Sequence, residues 1–531
     1  MEHRFQTFLI LLAVLAGAAL LARRLNIAPA VMLLMTGVGL ALVPGLPQLE
    51  LPPEAVLLIV LPPLIYQASV AMSWREFKSN LRPIALLAVG CVIFTAAAVA
   101  TATHYLIGLP WSVGFLLGAI VAPPDVVAPL AIARRLRLPR RVLVILEGEG
   151  LANDATALIL YRFAVVAITT GSFSLPKATA TFFAIVAAEV VFGTAIGWLS
   201  LRLRHYARDS QVELTLSLIT PYVAYWLPEH FGGSGVLATV ACGLYVSWNG
   251  PLLISAATRL QGIFFWDLII YLIEGLLFLL TGAQMRLLIA KSKAFPLPEI
   301  LTAIVLVSAI VVVARFAWVY PGTYLPRLLS ARLAARDPLP SWRTVFLIAF
   351  TGVRGAVSLA AALALPFAMP SGDDFPYRDM ILFVAFGVIL ITLIGLGLTL
   401  PLVVRALGLA DVGHAEHDRE HEAELAARRD VLATTRSSID EIARTRQLPG
   451  DVVDILTARH FARANQIPAG EDDGGSHMTP EGARLIRELI AEERRIIHRL
   501  LRDGVITDEA RRRIERDLDL EEAVLSNLGY S

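Results

Sequence analysis

The sequence predicts an all-α polytopic membrane protein with about 13 transmembrane helices and a charged, helical C-terminal tail. Three observations point there. The 531 residues are 56% hydrophobic and only 17% charged, with a mean hydropathy of +0.65, well outside the range of soluble domains. Apolar windows long enough to cross a bilayer recur thirteen times before residue 411. The short loops between them alternate between arginine-rich and nearly bare, as in a chain that crosses repeatedly and keeps its basic loops on the cytoplasmic side.

The windows fall near 6–22, 27–44, 53–72, 83–106, 111–133, 142–169, 178–203, 212–229, 232–248, 261–285, 298–322, 342–368 and 379–404. In the first, the basic cluster Arg23 and Arg24 follows the apolar run, so it reads as a membrane helix rather than a cleaved signal. Arg75, Lys78 and Arg82; Arg134, Arg135, Arg137, Arg140 and Arg141; Arg202, Arg204 and Arg208; and Arg327, Arg332, Arg336 and Arg343 all fall on one side of a thirteen-span chain. The alternate loops are bare except around Arg286, Lys291 and Lys293. A multi-pass protein of the cytoplasmic membrane is expected, with its N-terminus outside and its tail in the cytoplasm. Cys91 and Cys242 each lie in an apolar run, so neither a disulfide framework nor a paired-cysteine metal site is available.

Two windows are interrupted. The fifth, WSVGFLLGAIVAPPDVVAPLAIARRL, carries Pro123 and Pro124 immediately before Asp125 at mid-depth, and consecutive prolines remove backbone donors and break a helix. The twelfth, VFLIAFTGVRGAVSLAAALALP, has Gly352 and Gly355 flanking Arg354. Irregular backbone persists in lipid only where protein buries it or where it lines a cavity. The two windows are seven apart and so run in opposite directions, as corresponding members of inverted repeats do. Paired broken helices of this kind mark a transport site.

The stretch LVILEGEGLANDATALILYR, residues 143–162, places Glu147, Glu149 and Asp154 in an otherwise apolar or small-residue span. Charges at membrane depth are costly and are read first as an ion, proton or substrate path. Asp154 and Asp125 both fall near mid-span, and crossing helices would face this pair of carboxylates on a cavity beside half-helix ends. Such a carboxylate holds either a proton or an oxygen-seeking cation, which is sufficient chemistry for exchange. Asn153 can orient Asp154 or cap a backbone group without titrating. A buried acid can equally be a structural partner, the preferred reading for Glu149 because Arg315, midway along the eleventh window, needs a counter-ion. Glu147 lies a turn nearer the basic loop and is structural or vestibular. Arg354 either presents its guanidinium to the cavity or satisfies carbonyls at the break. Glu189, Asp267 and Glu274 are single acids in other spans, for which a direct role is the less favoured reading; His104, His230 and Trp266 read as interfacial.

From Asp411 the composition turns charged. Amphipathic helices are expected near 416–446, 449–465, 479–503 and 506–526, with a Gly/Asp-rich loop at 469–476. Opposite charges alternate at helical spacing. The tail carries no phosphate loop, dinucleotide fingerprint, zinc spacing or nucleophile motif, so no cofactor, enzymatic activity or nucleic-acid partner is expected.

At these residues the chain resembles the monovalent cation/proton antiporters of the sodium/proton exchanger type. EGEGLANDATALILYRF is similar to that family's EGESLLNDG, GAIVAPPDVVAPLA to GAILSATDPVAV, FTGVRGAVSLAAALALP to GLRGAVSLALALxLP, LPPLIYQA to LPPLLFEA, and SGVLATVACGLYVS to SGVLAVVxAGL, over about residues 10–405. The resemblance implies two parts within residues 1–410. A core of helices near 83–169 and 298–404 with crossed discontinuous helices moves against dimerisation helices near 6–72 and 212–285, with a linker helix near 178–203, and residues 411–531 form a cytoplasmic regulatory domain. It implies a homodimer that exchanges protons for sodium, lithium or potassium. Asp154 is then the essential carboxylate, Asn153 its neighbour, Asp125 the acid at the crossing, and Glu149 with Arg315 an ion pair of the core. An Asn before the Asp goes, in that family, with electroneutral exchange. Four positions depart from the pattern: Pro124 stands where Thr is common, Val126 for Pro, Gly150 for Ser and Gln67 for Glu. Backbone carbonyls at the Pro123–Pro124 break, or water, are expected to supply the missing ligands. The competing readings are a tail-gated potassium efflux system or channel, and a sensor reporting ions to the tail. The spans lack a filter-like segment, and the tail lacks a nucleotide fold or a recognisable output domain.

Overall fold

Proline, glycine and short polar caps divide this apolar chain into helices. A computed structural model describes residues 2–25, 27–43, 56–207, 209–286, 297–369, 372–465, 480–502, 514, 518 and 520–522. Ser73, Ser255 and Ser341 each accept a backbone N–H of the helix they precede, and Asp209 accepts two, which satisfies donors a helix start leaves unpaired. Gly108 and Gly171 close the Val92–Ile107 and Arg140–Thr170 helices in the left-handed region, at φ 81° and 67°, where a side chain is disfavoured.

Among the described residues the structure is all-helical apart from one isolated bridge, Ala368 to Asp374. Seven helices among the described residues are long and apolar enough to cross a membrane: Leu81–Ile107, Arg140–Thr170, Leu175–Ala207, Val236–Leu253, Thr258–Ala283, Pro298–Leu329 and Arg378–Ala406. Pro29–Leu42, Val56–Ala71 and Trp111–Val121 are shorter apolar helices. The two interrupted windows are helix pairs. The fifth is Trp111–Val121 followed by Val127–Arg135, and the twelfth is Trp342–Phe350 followed by Ala356–Leu363. Periodicity did not reveal the π-helical turns at Val56–Val60 and Leu86–Cys91. Arg204, expected in a basic loop, is instead 4% exposed inside the Leu175–Ala207 helix, where it donates to Tyr66 Oη at 2.9 Å. Trp266 is buried between helices, where its indole N–H donates to the Ser217 hydroxyl at 2.8 Å. Cys91 and Cys242 are buried and free.

Small residues allow the closest helix contacts. A Cβ on Gly37 would stand 2.1 Å from Leu279 O and one on Gly282 would stand 2.2 Å from Leu34 O, so the Pro29–Leu42 and Ala256–Ala283 helices touch backbone to backbone. Without a hydrophobic drive between helices in lipid, such close van der Waals packing holds them together. The Leu175–Ala207 helix packs in the same way on Val236–Leu253 through Gly193, against Ala238 O.

The chain divides into two units, Met1–His414 and Ala415–Ser531. In the second, helices run to Arg446, over Gly450–Asn465 and over Pro480–Arg502, and Ile490, Ile497 and Leu518 form a small core beside an Arg494–Glu522 pair at 2.7 Å. The loop at 469–476, Lys291 and Lys293, and most of the helix expected at 506–526 lie outside the described residues.

Candidate ion-binding site

The two breaks meet. The backbone N–H of Asp125 donates to Val353 O at 2.7 Å, joining one interruption to the other. Arg354, 1% exposed, donates through Nε to Val121 O at 2.7 Å and through Nη1 to Gly352 O at 2.5 Å, while its own N–H donates to Thr392 Oγ1 at 3.0 Å. Of the two roles open to Arg354, the geometry is that of satisfying carbonyls at the crossing. Asp125 Oδ1 accepts the Val127 N–H at 2.9 Å, capping the Val127–Arg135 half-helix. The charges therefore complement the helix ends: a cation beside the C-terminal carbonyl of Val121 and an anion at the N-terminus after Val126.

Gly355 makes the crossing sterically possible. A Cβ there would stand 1.8 Å from Asp125 Oδ2 and 2.4 Å from its Cγ. Gly355→Ala is expected to displace Asp125 and reduce transport at least tenfold, since a misplacement of about 1 Å at a reacting centre costs up to ~10²-fold, while the protein still inserts. Wild-type flux in this variant would show that the approach is dispensable.

Asp154 lies on the continuous Arg140–Thr170 helix and lines a small cleft with Pro123, Tyr161, Val357 and Ser358. The cleft thus joins the unbroken helix to both broken ones. Among the described residues Asp154 makes no hydrogen bond or ion pair with the protein, and it lies close enough to Asp125 for their charges to interact. Asn153, fully buried, donates through Nδ2 to Pro124 O at 2.6 Å, and its Oδ1 has no hydrogen-bond partner. A buried unpaired carbonyl oxygen is costly, and this one belongs to the residue that precedes Asp154 on the same helix. No cluster of three or more His, Cys, Asp or Glu able to hold a metal occurs among the described residues, so a cation here needs neutral oxygens as well as carboxylate. Sequence reasoning passed over Ser358 and Tyr161. Ser358 was visible only as a hydroxyl in the apolar half-helix AVSLAAAL.

The other acids are engaged differently. Arg315 Nη1 and Nη2 donate to the two Glu149 oxygens at 2.5 and 2.8 Å, with both side chains 2% exposed or less. Arg315 also donates to Ile348 O, through Nε at 3.2 Å and Nη2 at 3.0 Å. Glu147 pairs with Arg134 at 2.8 Å. Glu189 is structural in its contacts, accepting the N–H groups of Ser234 and Gly235 where the Val236–Leu253 helix begins. Asp267 is exposed on its helix. Glu274 is half-buried without a hydrogen bond or ion pair among the described residues, and its charge reaches Asp125. It sits one turn before Phe278, which packs beside Ala128 and Val353 at the crossing. A lone acid in an apolar span was its only signal.

Two departures from the expected motif are one packing solution. A Cβ on residue 150 would stand 2.3 Å from Val126 Cγ2, so Gly150 makes room for the branched Val126. Gln67 is half-buried on the Leu61–Ala71 helix, outside the cleft that Asp154 lines.

The family described as "Sodium/hydrogen exchanger, transmembrane" matches residues 10–406. An uncharacterised Na(+)/H(+) exchanger of Mycobacterium tuberculosis is 33% identical over 97% of this chain and 95% of that protein. A sodium, potassium, lithium and rubidium/H(+) antiporter of Bacillus pumilus is 33% identical over 75% of this chain and 61% of its own length. Among solved structures, a sodium proton antiporter of Methanocaldococcus jannaschii aligns with a TM-score of 0.57 at 18% identity, covering 77% of this chain and 98% of that one; at that identity the likeness is one of fold.

Proposed function

Since this chain belongs to the sodium/hydrogen exchanger family of membrane antiporters, we propose that its cation/proton exchange is a competition between a proton and a monovalent cation for the carboxylate of Asp154. The observation that carries this reading is that, of Asp154 and Glu274, two acids within the spans without a partner among the described residues, Asp154 lines the cleft between the two broken helices and Glu274 does not. Glu149 is held by Arg315 and Asp125 is partly spent on the Val127 N–H, whereas Asp154 faces its cleft without a protein partner among the described residues. A carboxylate with no internal cation is stabilised by whichever positive species arrives, so proton and cation exclude one another.

The cation is sodium in this reading, with lithium and potassium as competitors. The Bacillus relative is named for sodium, potassium, lithium and rubidium. Its oxygens are those of Asp154, the unpaired Asn153 Oδ1, the second oxygen of Asp125 and the Ser358 hydroxyl, in keeping with the preference of hard cations for oxygen. The Pro124 carbonyl, which accepts from Asn153, aims that amide. Exchange is electroneutral in this reading, one proton for one cation at Asp154, in keeping with the family pattern in which an Asn precedes the Asp. Thirteen spans place the N-terminus outside and the tail in the cytoplasm. The core, helices near 83–169 and 298–404, carries the site past helices near 6–72 and 212–285 of a homodimer.

The test is proton flux in proteoliposomes reported by a pH-sensitive dye, with sodium, lithium and potassium added in turn and the membrane potential clamped or released. Cation-driven proton movement insensitive to potential is the expected result. Cation flux without counter-moving protons would make the protein a channel, and potential-dependent exchange would overturn the one-for-one stoichiometry.

A further inference from the structure

We propose that the arginine-rich end of the helix bundle binds the phosphate headgroup of an anionic phospholipid, in a pocket between the Leu81–Ile107, Arg140–Thr170, Leu297–Leu329 and Trp342–Phe350 helices. Three guanidiniums, those of Arg82, Arg141 and Arg327, converge there on one carboxylate, Asp337. Arg327 is fully engaged, donating through Nη2 to Asp337 Oδ2 at 2.5 Å, through Nε to Asp337 O at 3.0 Å and through Nη1 to Thr323 O. Arg141 donates to Asp337 Oδ1 at 2.6 Å and to Asn80 Oδ1 at 3.3 Å. Arg82 is left over: it stands 3.7 Å from Asp337, and both its Nη1 and Nη2 are buried without a hydrogen-bond partner.

Buried donors without acceptors are costly, and a guanidinium fork is the donor geometry that fits phosphate oxygens in pairs. Two positive charges in excess over Asp337 favour an anion over a zwitterion. Below the arginines the pocket narrows to an apolar cleft of about 60 Å³, walled by Leu87, Ile145, Trp318, Val345 and Ile348. Arg82 and Arg141 open their spanning helices and Arg327 nearly closes its own, which is the depth of lipid headgroups. Charge above and hydrocarbon below is the profile of a phospholipid, and basic pockets between membrane helices bind such headgroups.

The experiment is thermal unfolding of the purified full chain in detergent, with phosphatidylglycerol, phosphatidylcholine or inorganic phosphate added. Phosphatidylglycerol is expected to raise the midpoint by a few degrees and the other two to leave it largely unchanged. Arg82→Gln is expected to lose that shift. Should Arg82→Gln fail to fold, Gly322→Ala serves instead: a Cβ there meets only Trp318, at 3.8 Å or more, so the added methyl is tolerated where it narrows the pocket, and the shift is reduced. Equal shifts in wild type and a folded variant, or equal shifts with phosphatidylcholine, would overturn the proposal. A full shift with inorganic phosphate alone would overturn the lipid assignment and leave an anion site.

Discussion

Asp154→Asn is expected to reduce cation-driven proton flux to the level of empty liposomes while leaving the protein in the membrane at wild-type amounts. The substitution keeps shape and removes only the titrating charge. Asp154 makes no hydrogen bond or ion pair with the described residues, so none is lost. A partly buried carboxylate is itself costly in a low-dielectric site, so the thermal midpoint should be unchanged or slightly higher. A merely structural Asp154 predicts the opposite pair of results, flux retained or protein lost. The decisive readout is therefore flux and stability measured on one preparation.

The second large effect is on folding. Glu149→Leu or Arg315→Met, each alone, is expected to destabilise the transmembrane unit by about 3–5 kcal/mol, because each leaves an uncompensated buried charge. Arg315 spans three helices: its own, that of Glu149, and the Trp342–Phe350 half-helix whose Ile348 carbonyl it holds. A neutral double substitution, Glu149→Leu with Arg315→Met, should therefore be less damaging than either single one. Ile348 O would still accept from Thr351 Oγ1 at 2.9 Å. A charge-swapped pair should recover less, since an arginine at 149 starts from a different helix and is not aimed at that carbonyl. Apparent melting in detergent across the four variants measures the coupling; additive losses would mean the pair contributes nothing beyond two separate residues.

Much of the arrangement was written locally. Prolines at 123–124 and glycines at 352 and 355 announce where two apolar windows break, since missing donors and absent side chains act within a turn of their own position. A lone arginine and a lone glutamate at matching depth announce a pair, because each charge is costly in an apolar bundle and pairing lowers that cost. Other features depended on contacts between distant segments. Arg204 lies in a helix and not in a basic loop because its preference for a loop yields to a partner, Tyr66, supplied by another helix. Glu274 looked like any isolated acid until the packing of Phe278 on Ala128 and Val353 placed it by the crossing.

The sequence by itself determined the helices, their two breaks and the identity of the buried charges, because hydropathy, helix-breaking chemistry and the cost of charge in lipid are properties of short segments. Only the tertiary structure decided which charges are engaged and which face the cleft. It turned Arg354 onto the Val121 carbonyl and Asn153 onto that of Pro124, and left Asp154 and Asn153 Oδ1 without partners among the described residues. Hydrogen-bond satisfaction is settled between segments some 30 to more than 200 residues apart, by a geometry that no local pattern encodes.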